Sequence, residues 1–102
     1  MKLWIDDVRP APEGYIGCLS VNETIKEIEW LEIVKCPIEI IDIDHDAGIY
    51  APYGGDYIRI LDWLEETGRN YPIHIHSMNP VGVKNMRRII QRNNWKEVNY
   101  EG

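Results

Sequence analysis

Asp6, Asp7, Asp44, His45, Asp46, His76 and Ser77 are the residues whose types and spacing point to chemistry. Carboxylates gathered within a few ångströms repel one another, so either some hold a proton or a cation sits among them. A hard divalent ion, Mg²⁺ or Mn²⁺, is the simplest answer, with Asp6, Asp7 and Asp44 as first-choice ligands. Such an ion prefers oxygen and keeps waters that phosphate oxygens can replace. The plainer alternative is that Asp6 or Asp7 caps a turn and Asp44 to Asp46 solvate a loop.

His45 and His76, with Asp46 beside the first, suit proton transfer. An imidazole near neutral pKa takes a proton from water and returns one to a leaving alkoxide, and opening a cyclic phosphate uses both steps. His74, inside the run that leads to His76, reads instead as buried and hydrogen-bonded. Ser77 lacks a G-x-S-x-G elbow, so it reads as a hydrogen-bond donor or cap rather than a nucleophile. Arg9 sits beside the acidic pair, where a guanidinium can hold a phosphate by two hydrogen bonds. Lys84, Arg87, Arg88 and Arg92 share one helix and fit a solvated face. Tyr50, Tyr53 and Tyr57 either stack on a base or pack their loop on the core.

The elements that must position these groups follow from apolar spacing and punctuation. Lys2 to Asp6 reads as a strand ending in the acidic pair, and the run from Arg9 to Gly14 holds two prolines and a glycine, so it reads as a loop. Tyr15 to Leu19 reads as a second strand. Ser20-Val21-Asn22-Glu23 is an S-x-x-E capping box that opens a helix stopped by Pro37, with Val21, Ile25, Ile28, Leu31 and Val34 on one face. Ile38 to Ile43, with four isoleucines, reads as a central strand covered on both faces. The span from Asp46 to Asp56 reads as a functional loop, with Asp56 as cap of a helix that buries Tyr57, Ile58, Leu61 and Leu64 and ends at Gly68. Ile73 to His76 reads as a strand, Val83, Met86, Ile89 and Ile90 mark a last helix, and Trp95 to Tyr100 a fifth strand. Strands alternating with helices predict a mostly parallel sheet with helices on both faces. Ligands of such sheets bind beyond the carboxyl ends of the strands, where Asp6-Asp7, Asp44-His45-Asp46 and His76-Ser77 fall.

The whole chain of 102 residues reads as a single domain, 1–102, without repeats or a linker. No apolar run approaches the length of a bilayer span, and two carboxylates arrive before a signal core could form, so a cytoplasmic protein away from the membrane is expected. Cys18 and Cys36 stand without C-x-x-C spacing and read as core thiols of a reducing compartment. A net charge of −6 argues against long nucleic acids as partners, whose binding needs a basic footprint.

Leu3-Trp4-Ile5-Asp6-Asp7-Val8-Arg9-Pro10, Asp44-His45-Asp46, Gly55-Asp56-Tyr57 and His76-Ser77-Met78-Asn79-Pro80-Val81-Gly82 together resemble the cyclic-phosphate processing receiver domains over nearly the whole chain. The resemblance implies a small receiver-like, flavodoxin-like α/β fold, a three-layer sandwich on a mostly parallel five-stranded sheet. It implies a role in processing cyclic phosphate ends or cyclic nucleotides, with Arg9, Ser77, Asn79 and Tyr57 toward the ligand. Response-regulator receivers share the acidic pair, an Asp after the third strand and a Ser or Thr after the fourth, but carry a lysine ending the fifth strand, where this chain has Asn99-Tyr100. That argues against phosphoacceptor signalling. The Pro-rich loop stands where a full receiver has its first helix. Three readings remain open: a metal-dependent phosphoesterase on a cyclic phosphate or cyclic nucleotide, a module that binds or sequesters a nucleotide without turnover, and a degenerate receiver serving protein interaction.

Overall fold

Short apolar segments set side by side by parallel pairing form the frame of the molecule. In the computed structural model, which describes residues 1–99, the elements are β1 (Lys2–Ile5), β2 (Tyr15–Cys18), α1 (Val21–Ile33), β3 (Ile40–Ile43), α2 (Ile58–Glu66), β4 (Ile73–Ile75) and α3 (Pro80–Arg92), with one 3₁₀ turn at Gly48–Tyr50. The strand order is β2-β1-β3-β4, and every pairing is parallel. Trp4 pairs with Gly17 on one side and Asp42 on the other, and Asp42 pairs with His74. This is the expected receiver-like α/β class.

Alternation along the strands sends Leu3, Ile5, Ile41, Ile43 and Ile73 to one face, where they are buried together with Ile28, Leu31, Leu61, Leu64, Met86 and Ile90 of the helices. α2 packs against both α1 and α3, so the three helices form a layer on that face. The opposite face carries Trp4, Gly17, Asp42 and His74, and its cover is the Pro-rich loop rather than the expected helices. Trp4 Nε1 donates to the Arg9 carbonyl at 2.9 Å, and Ala11 Cβ lies 3.4 Å from where a side chain on Gly17 would begin. The connection from Ile5 to Tyr15 is too short and too rich in proline for a helical crossover.

The sheet has four strands, not the expected five. Among the described residues the last segment joins only through a bridge between Glu97 and Ile73. Ile73 donates to the Lys96 carbonyl and receives the Val98 amide. β4 spans only three residues, which leaves little edge to extend the pairing. Asn99 is described, and Tyr100, the far end of the expected strand, lies outside the described residues.

The Ser20 cap and the Gly68 stop are as expected, Asn79 is a cap the sequence analysis did not name, and Asp56 and Pro37 act otherwise than expected. Ser20 Oγ accepts the Glu23 amide at 3.1 Å, and Asn79 Oδ1 accepts the Gly82 amide at 3.0 Å with Pro80 in the first turn of α3. Asp56 does not cap α2; its Oδ1 accepts the Ala47 amide at 3.0 Å instead. α1 stops before Pro37, because Lys35 enters the left-handed region and the Cys36 amide reaches back to the Leu31 carbonyl. Gly68 and Asn94 close α2 and α3 in the same way.

Cys18 is buried and Cys36 half-buried, both as free thiols, and burial pushes the Cys18 thiol up to about 12. Among the described residues no helix is long and apolar enough to cross a membrane.

Candidate active site

The carboxyl ends of β1, β3 and β4 come together as the parallel order requires. Asp44 donates its amide to the Ile5 carbonyl and His76 to the Ile43 carbonyl, both at 2.9 Å, so the three strand ends are laced to one another just where the polar residues begin. Asp6, Asp7 and Asp44 present carboxylate oxygens within 4.8 Å of one another.

Asp6 is the most constrained of the three. Its Oδ1 accepts the amides of Val8 at 2.9 Å and Arg9 at 3.0 Å, and its Oδ2 faces Arg9 Nε at 3.3 Å and His76 Nε2 at 2.9 Å. Burial alone raises its carboxyl, but the Val8 and Arg9 amides and the His76 ring outweigh that and hold it below the ordinary carboxylate value. A depressed folded-state value means that Asp6 contributes stability above the ordinary carboxyl pKa and loses it as pH falls through the lower, folded one. Acid unfolding followed between about pH 5 and pH 2 should therefore show a shallower loss of stability for Asp6→Asn than for the parent chain; identical slopes would contradict this.

Asp7 lies against Gly48 of the following loop, so close that a Cβ there would meet its carboxylate. Gly48 also takes a left-handed φ of 55°, which favours glycine beside the lack of space. The loop is clamped at its base by the Tyr57 amide on the His45 carbonyl, 3.0 Å, and by Asp56 on Ala47.

His45 follows Asp44, whose Oδ1 accepts the His45 amide at 2.8 Å. Its Nδ1 is 2.8 Å from Asp46 Oδ1, and its ring is packed directly over Gly82 at the start of α3. Asn79 Nδ2 reaches Asp46 Oδ1 at 3.4 Å, so the residue that caps α3 also steadies the carboxylate that orients His45. Nδ1 of the ring is thus tied to Asp46.

His76 is held differently. Its Nδ1 is 2.6 Å from Asp42 Oδ1, its Nε2 faces Asp6, and its ring stacks on Trp4 with centroids 3.9 Å apart and planes 5° apart. Both ring nitrogens are therefore engaged by carboxylates. His74, expected to be buried and hydrogen-bonded, is half-buried, with Nδ1 2.8 Å from Asp42 Oδ1.

Of the residues expected to face a ligand, Arg9, Ser77 and Asn79 lie at the strand ends, whereas Tyr57 lies in the core. It is fully buried and its hydroxyl donates to the Leu19 carbonyl at 2.7 Å, so its ring has no face to offer a base. Burial and the nearby Asp7, Asp6 and Asp44 push its phenol up. Tyr50 packs partly on the core as well, whereas Tyr53 is exposed. Ser77 Oγ accepts the Asn79 amide at 3.1 Å and stands at one end of a groove of about 640 Å³ along α3. Lys84, Arg87 and Arg88 line that groove, Arg87 being paired with Glu97, while Arg92 is tied to Glu65.

Asp42 and Gly48 escape a reading by motif, and Trp4 and Gly82, though inside the motifs, receive no role from them. Asp42 alone left a trace, an acid within an isoleucine strand.

Searches of curated proteins and of solved structures returned no significant match. The profile of the cyclic-phosphate processing receiver domain matches residues 1–92, most of the chain and every residue of the site described above. This chain belongs to the cyclic-phosphate processing receiver domain family.

Proposed function

We propose that this domain opens a cyclic phosphate, on a nucleotide or a nucleic-acid end, by metal-assisted hydrolysis with His45 as general base. The observation that carries the reading is the His45–Asp46 pair: a ring whose Nδ1 is fixed by a carboxylate at 2.8 Å and whose backbone amide is bonded to Asp44 of the acidic cluster. On this reading the other imidazole nitrogen is the one offered to the attacking water.

Asp7 and Asp44, with Asp6 behind them, form an all-oxygen donor set that fits Mg²⁺ or Mn²⁺, which would polarise a phosphoryl oxygen and offset the charge of the cluster. His45 Nε2 accepts the proton of the attacking water as its oxygen bonds to phosphorus. The ring P–O bond breaks, and the departing alkoxide takes a proton from solvent. Asp46 supports the imidazolium, and Asn79 supports Asp46. His76, with both nitrogens between Asp6 and Asp42, positions the cluster rather than shuttling protons. Arg9 and Ser77 flank the phosphate, and Lys84 and Arg88 extend positive charge along the groove for the rest of an anionic ligand.

Incubation of catalytic amounts of protein and Mn²⁺ with 2′,3′-cyclic mononucleotides and cyclic dinucleotides tests this. Opened monoesters or linear products in excess of protein are expected. Recovery of intact ligand in stoichiometric amount after heat denaturation would replace hydrolysis by sequestration, and neither retention nor turnover would leave a receiver that serves protein interaction.

The ion has its own test. Binding to the folded state alone, at about 100 times Kd, adds about 2.7 kcal/mol, so millimolar Mg²⁺ or Mn²⁺ should raise the melting temperature of the parent chain. Asp7→Asn and Asp44→Asn should lose that rise, and a parent chain indifferent to both ions would remove the metal from the reading.

A further inference from the structure

The sheet face away from the helices gathers a second set of ligand atoms. Asp42 and His74 are partners across β3 and β4, and His76 stands two residues beyond, so alternation turns all three the same way. Nδ1 of His74 and Nδ1 of His76 converge on the same oxygen, Asp42 Oδ1, at 2.8 and 2.6 Å, and the three donors lie within 4.8 Å of one another.

The surroundings of His76 give this convergence a meaning. Its other nitrogen, Nε2, faces Asp6 Oδ2 at 2.9 Å. With a cation on Nδ1, the imidazole would keep its N–H on Nε2 for Asp6. Histidines that bind metals almost always donate their other N–H to a carboxylate, carbonyl or water, which fixes the tautomer and the ring. Asp6 stands in that place, itself held by the Val8 and Arg9 amides, and Trp4 fixes the plane of the ring.

We propose that Asp42, His74 and His76 bind a first-row transition-metal ion of the Zn²⁺ class, at a site distinct from the all-oxygen cluster of Asp7 and Asp44. Two imidazoles and one carboxylate suit Zn²⁺, Co²⁺ or Fe²⁺ and leave coordination positions open, whereas Mg²⁺ takes oxygen ligands. Metal–ligand bonds of about 2.1 Å set tetrahedral neighbours about 3.4 Å apart, so the donors must part slightly from their hydrogen-bonded spacing. The His74 side chain is 20% exposed, which gives the ion a way in.

Co²⁺ is the probe. Chelator-treated full-length protein titrated with Co²⁺ should develop, at one equivalent, the strong visible absorption of a four- or five-coordinate ion, and one equivalent of Zn²⁺ should remove it. His74→Ala, outside the proposed hydrolytic machinery, should lose that absorption, while Asp7→Asn should keep it. His74→Gln, which retains a partner for Asp42, replaces the alanine variant if circular dichroism shows that the latter is unfolded. Only the faint absorption of hydrated Co²⁺, an undiminished signal in the folded His74 variant, or a signal lost in Asp7→Asn would each overturn the proposal. None of these readouts depends on turnover, so failure here and failure of the hydrolytic reading are separate results.

Discussion

His45→Ala should lower turnover of a cyclic phosphate by about 10²- to 10⁴-fold while the chain stays folded. The size follows from what the ring supplies, a positioned base with one nitrogen fixed by Asp46, a contribution that bulk water replaces poorly. The fold should tolerate the change because His45 lies outside the buried apolar cluster. Asp46→Asn should fall between parent and His45→Ala, since an amide oxygen still accepts a hydrogen bond but no longer supports a developing imidazolium. Initial rates over a range of substrate concentrations, with circular dichroism on each variant, decide the matter. A folded His45→Ala chain that turns over within a few-fold of the parent would end the assignment of His45 as base.

Gly82→Ala should be nearly as damaging, by way of a methyl group alone. A Cβ on Gly82 would sit 2.6 Å from Cδ2 and 2.8 Å from Nδ1 of His45, separations that real Cβ atoms do not show. The backbone there is helical, and alanine in a helix is favoured over glycine by about 1 kcal/mol, so the backbone itself does not oppose the change. Overpacking of about 1–3 kcal/mol should offset that gain and expel the ring from its seat beside Asp46. The two effects separate in the double variant. With His45→Ala already in place the clash is gone, and Gly82→Ala should become neutral or stabilising, giving a coupling between the sites that melting curves can measure. Additive effects on stability, or full activity in Gly82→Ala, would mean that His45 does not work from that seat.

Much of the fold was legible because local chemistry and tertiary demand agree along most of the chain. The isoleucines of β3, the S-x-x-E box at Ser20 and the spacing of Val83, Met86, Ile89 and Ile90 in α3 each name an element through its own periodicity or cap. Disagreement arose where another partner or a tighter turn outbid the expected signal. Asp56 is shaped like a cap, yet the Ala47 amide takes its carboxylate, and Pro37 is a strong stop, yet α1 ends earlier at a left-handed Lys35. The last segment has strand composition but little edge to pair with.

The site divides along the same line. Motif order by itself determined which acids and histidines lie at strand ends, because parallel strands must deliver their carboxyl ends to one side of the sheet. Only the tertiary structure decided their partners. A histidine's work depends on what each nitrogen meets, and His45 meets Asp46 on one nitrogen while His76 meets Asp42 and Asp6 on both. Asp42, Gly48 and Gly82 matter through cross-strand register and close approach, relations between residues far apart in the chain, and such relations exist only once the sheet has paired and α3 has packed against His45.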